Sequence, residues 1–168
     1  MESKNRKNNL MKASGKFYPA SAGEKLEAMS VELFEEEYGI NAVKYNVGSS
    51  KDLYEGNDLE LFRIPLDITM NPNKDHTEWS KKITRIPFMG FNGIAIKWGV
   101  RTGNSHKGFT RFETPVLVMQ VDGIPSNQFF FNYMVNIKSA IKKNLREIVD
   151  NGMDFYYNFM DEHPEYNF

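Results

Sequence analysis

Asp58 and Asp67 stand in two short runs that alternate polar with aliphatic side chains: Asp58 and Glu60 against Leu59 and Leu61, then Asp67 and Thr69 against Leu66, Ile68 and Met70. A period of two marks strands with one polar and one apolar face. Carboxylates gain little from packing in strands and are scarce there. Their recurrence on neighbouring strand candidates suits hard-cation chemistry, in which clustered oxygen donors hold a divalent ion such as Mg²⁺. An antiparallel sheet that leaves one face to water gives the same pattern. For the two acids to face each other, the chain must reverse near Phe62 and Arg63, which are poor turn residues. A strand running unbroken through Pro65 would hold them roughly 30 Å apart, at about 3.3 Å per residue. Asp52, in the turn-rich stretch before them, is the reserve choice for the first acid.

A third acid is conspicuous in the segment ahead of these runs. Ser21 and Glu24 have the spacing of a capping box and Gly39 supplies a stop, so a helix is expected from about Ala22 to Tyr38. At about 100° per residue, Leu26, Met29, Val31, Leu33, Phe34 and Tyr38 form one broad apolar arc, and Glu27 falls inside it. Glu32, Glu35 and Glu36 lie on the opposite side, as on any surface helix. A carboxylate on a buried face is costly unless it is paired, hydrogen-bonded or bound to a metal. An edge position with the head group reaching solvent is the other reading.

The remaining elements are the frame. Asn41–Val47 reads as a strand, Gly48–Asn57 as turns, and Lys74–Lys82 as a short, weakly patterned helix or a loop. Gly93–Val100 is a further strand, on which Ile94, Ile96 and Trp98 share one face and Ala95 and Lys97 the other. Arg101–Gly108 reads as an exposed loop, and Pro115–Val121 is the nearly continuous apolar run of a central strand, ended by Asp122 and Gly123. A long helix is expected from about Asn127 to Asn151, with Phe130, Met134, Ile137, Ile141, Leu145 and Ile148 on one side, Lys138, Lys142, Lys143 and Arg146 on the other, and Gly152 as its stop. This order describes an α/β fold: a single-domain sandwich with a central mixed β-sheet flanked by helices.

Composition narrows the chemistry. The 168 residues, 40% hydrophobic and 14% aromatic with a net charge of −1, suffice for one domain with a sizeable core. There is no cysteine, and His76, His106 and His163 are scattered, which excludes disulfides and thiolate zinc sites and leaves oxygen ligation open. No Gly-x-Gly-x-x-Gly, P-loop or Gly-x-Ser-x-Gly pattern occurs, so dinucleotide, nucleotide-triphosphate and acyl-transfer chemistry lack their usual marks. No apolar run approaches the roughly 18 residues of a membrane span and no signal-peptide core opens the chain, so a cytoplasmic protein without membrane contact is expected.

The near-zero net charge hides an asymmetry. Lys4, Arg6, Lys7, Lys12 and Lys16 are opposed only by Glu2 in the first sixteen residues, so residues 1–20 read as a flexible basic arm and 21–168 as the domain. Such arms track phosphates or serve as solubilising tails. At the other end, Asp154, Asp161, Glu162 and Glu165 are interleaved with Phe155, Tyr156, Tyr157, Phe159 and Tyr166, the look of a helix that docks a protein partner or packs on the sheet.

Taken together, a glutamate on the first helix, an acid opening the second strand and an acid-x-residue pair on the third, here Glu27, Asp58 and Asp67 to Thr69, resemble the PD-(D/E)xK nuclease superfamily over roughly Ser21 to Val121. The resemblance implies a restriction-endonuclease-like fold and metal-dependent hydrolysis of DNA phosphodiester bonds. It implies Mg²⁺ or Mn²⁺ held by Asp58, Asp67 and the Ile68 carbonyl, with Glu27 as a further ligand or acting through water. The position that carries the family's lysine is Thr69 in this chain, so a lysine must arrive from elsewhere: Lys97, with its strand face to itself and Ala95, or Lys82. In the same reading the basic arm (Lys4, Arg6, Lys7, Lys12) with Arg101, Lys107 and Arg111 contacts the phosphates, and a homodimer suits double-strand cleavage. The alternative is a catalytically inactive nuclease-like protein or an accessory binding module of the phage-like kind, acting on a protein partner through its aromatic tail.

Overall fold

The computed structural model describes residues 21–45, 59–71, 77–89, 91–102 and 114–166. Helix α1 spans Ala22–Tyr38. It starts where the Ser21 hydroxyl accepts from the Glu24 amide at 3.1 Å and ends at Gly39, whose φ of 94° suits glycine. Leu26, Met29, Leu33 and Phe34 are its buried stripe. A 3₁₀ turn, Ile40–Ala42, leads into strand β1, Val43–Tyr45, a shorter strand in the described residues than the 41–47 expected.

Strands β2 (Leu59–Leu61) and β3 (Ile64–Thr69) form an antiparallel hairpin in register Leu59↔Leu66, Glu60↔Pro65 and Leu61↔Ile64. The chain therefore does reverse at Phe62 and Arg63, with φ of 51° and 68°. Positive φ at both central residues is what a two-residue type I′ hairpin requires, and glycine or asparagine would meet it at less cost. Tertiary contacts offset the strain here. The Phe62 ring stands edge-on to Tyr38 of α1, centroids 5.1 Å apart, and its amide donates to the Ala42 carbonyl at 2.9 Å.

Strand β4, Thr77–Phe88, corrects the helix-or-loop expectation for 74–82. The segment carries no helical stripe because it is an edge strand, antiparallel to β5 (Phe91–Arg101), and residues 79–83 are irregular where a shift in register interrupts the pairing. Strand β6, Val116–Asp122, is central as its composition predicts, lying between β3, to which it is parallel, and β5, to which it is antiparallel. The six strands run β1-β2-β3-β6-β5-β4, a mixed sheet in one α/β domain.

The expected long helix is three helices, α2 (Asn127–Asn132), α3 (Met134–Lys143) and α4 (Leu145–Glu162). It breaks at Tyr133 and at Asn144, whose side-chain amide donates to the Ala140 carbonyl at 3.1 Å and competes with the helical ladder. Gly152 is no stop. It lies in mid-α4, where a Cβ would come within 2.5 to 2.7 Å of the Trp98 ring, and the Trp98 indole donates to the Ile148 carbonyl at 2.8 Å. Gly152 is there for close approach of helix to sheet. The residues expected on the apolar side of this segment are buried at Phe130, Ile137, Ile141, Leu145 and Ile148.

One core joins α1 and α2–α4 to one face of the sheet, through Leu59, Leu61, Ile64, Leu66, Ile68, Ile94, Ile96, Trp98, Val100, Leu117, Met119 and Val121. Val116 and Val118 are equally buried yet stand outside that core, as alternation along β6 demands. All the described helices thus cover the same face, so the expected flanking of the sheet by helices is met on one side among the described residues. No described helix is long and apolar enough to cross a membrane.

Candidate functional site

The polar face is assembled from the register. One rung carries Asp67, Val118, Gly99 and Trp79 across β3, β6, β5 and β4; the next carries Thr69, Gln120, Lys97 and Ile83. Arg101, on β5 opposite Val116, belongs to the same face. Alternation decides this placement: the residues between them, Leu66, Ile68, Trp98, Val100, Leu117 and Met119, fill the core.

Asp67 and Arg101 are ion-paired, Nη1 to Oδ2 at 2.9 Å, with side chains 21% and 18% exposed. Pairs this far removed from water are screened less than surface pairs. The cation at Asp67 is therefore Arg101. Lys97 does lie with Ala95 on the face opposite Ile94, Ile96 and Trp98, but its ammonium sits 4.6 Å from the centroid of the Trp79 ring. Two strand spacings and one two-residue step put the Lys97 and Asp67 Cα atoms roughly 12 Å apart. Trp79 can lie across β5 because its neighbour is Gly99, where a Cβ would meet the indole at 2.7 Å. Lys82, the other lysine candidate, is exposed on edge strand β4 and not on a helix.

Thr69 is buried and its hydroxyl accepts from the Asn71 amide at 2.9 Å, which closes the end of β3. Gln120, 1% exposed at the centre of the face, has neither its Oε1 nor its Nε2 hydrogen-bonded. Sequence reading missed it, because a glutamine inside an apolar run looks like an edge of the core. Its alternation with Val118 and Asp122 was the available signal.

Glu27 is half-buried on α1, in the helical layer, and it makes an interaction there. Asp67 projects from the other face of the sheet. Among the described residues, no three histidine or acidic side chains gather as a metal set. Asp58, Asp52 and the phosphate-contact candidates Lys4, Arg6, Lys7, Lys12, Lys107 and Arg111 lie outside the described residues, as does the basic arm 1–20.

The aromatic tail is mostly interior. Tyr156 and Phe159 are 5% exposed, and the Tyr156 hydroxyl donates to the Pro115 carbonyl at 2.9 Å. Burial pushes its pKa up to about 12. Tyr157, 55% exposed, is the outward-facing member. On the helical layer, a depression of about 190 Å³ between α1 and α3 is lined by Ala28, Met29, Met134 and Val135, with Lys25, Glu32 and Lys138 at its rim. Lys138 bonds Glu32 at 2.7 Å there, which raises the Lys138 pKa.

No protein-family model, curated protein or solved structure matches this chain.

Proposed function

We propose that the protein is a metal-dependent nuclease that hydrolyses DNA phosphodiester bonds, with its reacting centre at the Asp67 end of the polar face. One observation carries the reading: the tight reversal at Phe62 and Arg63, without which Asp58, the residue before β2, and Asp67 could not share a site. The described donors suit a hard cation in kind. Asp67 presents a half-buried carboxylate that already holds a positive group, the guanidinium of Arg101. Asp58, Asp67 and the Ile68 carbonyl would hold Mg²⁺ or Mn²⁺, with Glu27 as the auxiliary acid. The ion, when bound, supplies a more acidic water and neutralises charge building on the phosphate. The chain's own cations, Arg101 and Lys97, lie on the same face and favour an anionic backbone; Trp79 keeps the Lys97 ammonium raised off the sheet. The basic arm with Lys107 and Arg111 adds phosphate contacts in the same reading.

The test is supercoiled plasmid incubated with Mg²⁺ or Mn²⁺, comparing the parent protein with Asp67→Asn. Nicking by the parent and a loss of 100-fold or more in the variant support the assignment, whereas equal nicking by both means contamination. A second reading, binding of nucleic acid or a protein partner without hydrolysis, is favoured by Thr69 at the lysine position and by the Asp67–Arg101 pair. Under it the parent shifts labelled DNA, or captures its partner, and leaves plasmid intact.

A further inference from the structure

We propose that Arg101 is an exchangeable partner of Asp67: it holds the carboxylate in the metal-free protein, yields it to a divalent cation, and is thereby released to take a phosphate. This rests on the nuclease reading and adds a regulatory role for one residue of that site. The geometry points to it in three ways. Arg101 Nη1 lies 2.9 Å from Asp67 Oδ2, inside the space in which a cation bound to that oxygen would sit. The two residues come from β5 and β3, with β6 between them, so the link is a side-chain reach across a strand and not a backbone necessity. Both side chains are about one-fifth exposed, enough for an arginine to swing outward without opening the core. A fixed positive charge at the ligand opposes a second cation, and the planar guanidinium is equally suited to a phosphate.

Two measurements test the exchange. Mn²⁺ binding, followed by loss of the free-ion electron paramagnetic resonance signal, is compared among the parent, Arg101→Gln and Asp67→Asn. The exchange requires Arg101→Gln to bind Mn²⁺ at least fivefold more tightly than the parent, and Asp67→Asn to bind at least tenfold more weakly. Arg101→Lys keeps the charge and loses the fork, so it should fall between parent and Gln and guards against a folding defect in the Gln variant. If Arg101→Gln binds no more tightly while Asp67→Asn still loses affinity, the exchange is wrong and the metal site stands. Equal affinity in all the proteins overturns both. In the second measurement, fluorescence anisotropy with labelled duplex in EDTA and in Ca²⁺, Arg101→Gln should lose affinity only when the cation is present. An equal loss in both conditions overturns the release step.

Discussion

Gly152→Ala gives the sharpest test of how this sheet and its last helix fit together. Judged by helix propensity alone, alanine in the interior of α4 should stabilise by about 1 kcal/mol. The structure says otherwise. A Cβ at 152 would lie 2.5 to 2.7 Å from three atoms of the Trp98 ring, which is 1% exposed and tethered through its indole to the Ile148 carbonyl four residues earlier in the same helix. Neither side can move freely, because shifting the ring breaks that bond and shifting the helix opens the core. Overpacking of this kind costs about 1–3 kcal/mol, and unpairing the buried indole adds about 1–3 kcal/mol. After the propensity gain, the net loss should be about 3 kcal/mol, a fall in Tm of roughly 6–12 °C for a domain of this size. Urea denaturation monitored by circular dichroism measures it, with an unchanged m-value as the check that the two-state comparison holds. In a Trp98→Phe background the penalty of Gly152→Ala should shrink by at least about 1 kcal/mol, since the contacted ring atoms are gone. A Gly152→Ala protein as stable as the parent would refute the close approach of α4 to β5.

Gln120→Met removes a buried amide with both polar atoms unpaired and should stabilise by about 1–3 kcal/mol in the same assay; destabilisation would mean that the amide bonds a group in the folded protein. Arg63→Gly relieves a left-handed residue at an exposed turn position, with an expected gain of up to about 1 kcal/mol, whereas Phe62→Gly should gain nothing because it forfeits the ring contact with Tyr38. Tyr156 ionises at about 12 when folded, against a model value of 10.0. A raised pKa for an acid means that its neutral form is the one folding favours. Its contribution is therefore complete below about pH 10 and lost as pH climbs through about 12. Tyr156→Phe should flatten that alkaline decline in a denaturation series from pH 9 to 12, at the cost of the bond to Pro115. Lys138→Ala removes an exposed pair with Glu32 and should cost no more than about 1 kcal/mol, with the difference fading in 1 M salt.

What was legible in the sequence is what local chemistry dictates. A serine, a glutamate three residues on and a glycine bracket α1, and the cap and stop are found in place. Strict alternation gave the faces of β3 and β5, so that Asp67, Thr69, Ala95 and Lys97 are found on one side of the sheet. The uninterrupted apolar run of 116–121 could belong only to a strand covered by neighbours on both edges. Tertiary structure decided the rest, in each case because a distant partner outweighs a local preference. Phe62 and Arg63 turn because Tyr38 and Ala42 hold them. Residues 77–82 are strand because β5 offers a ladder. Gly152 continues a helix because Trp98 needs the space a side chain would take. At the candidate site, composition supplied an acid and several cations, but only the order of the strands could choose Arg101 for Asp67 and leave Lys97 to Trp79. Pairing across a sheet depends on which strands are neighbours, and neighbours in a mixed sheet are not neighbours in the chain.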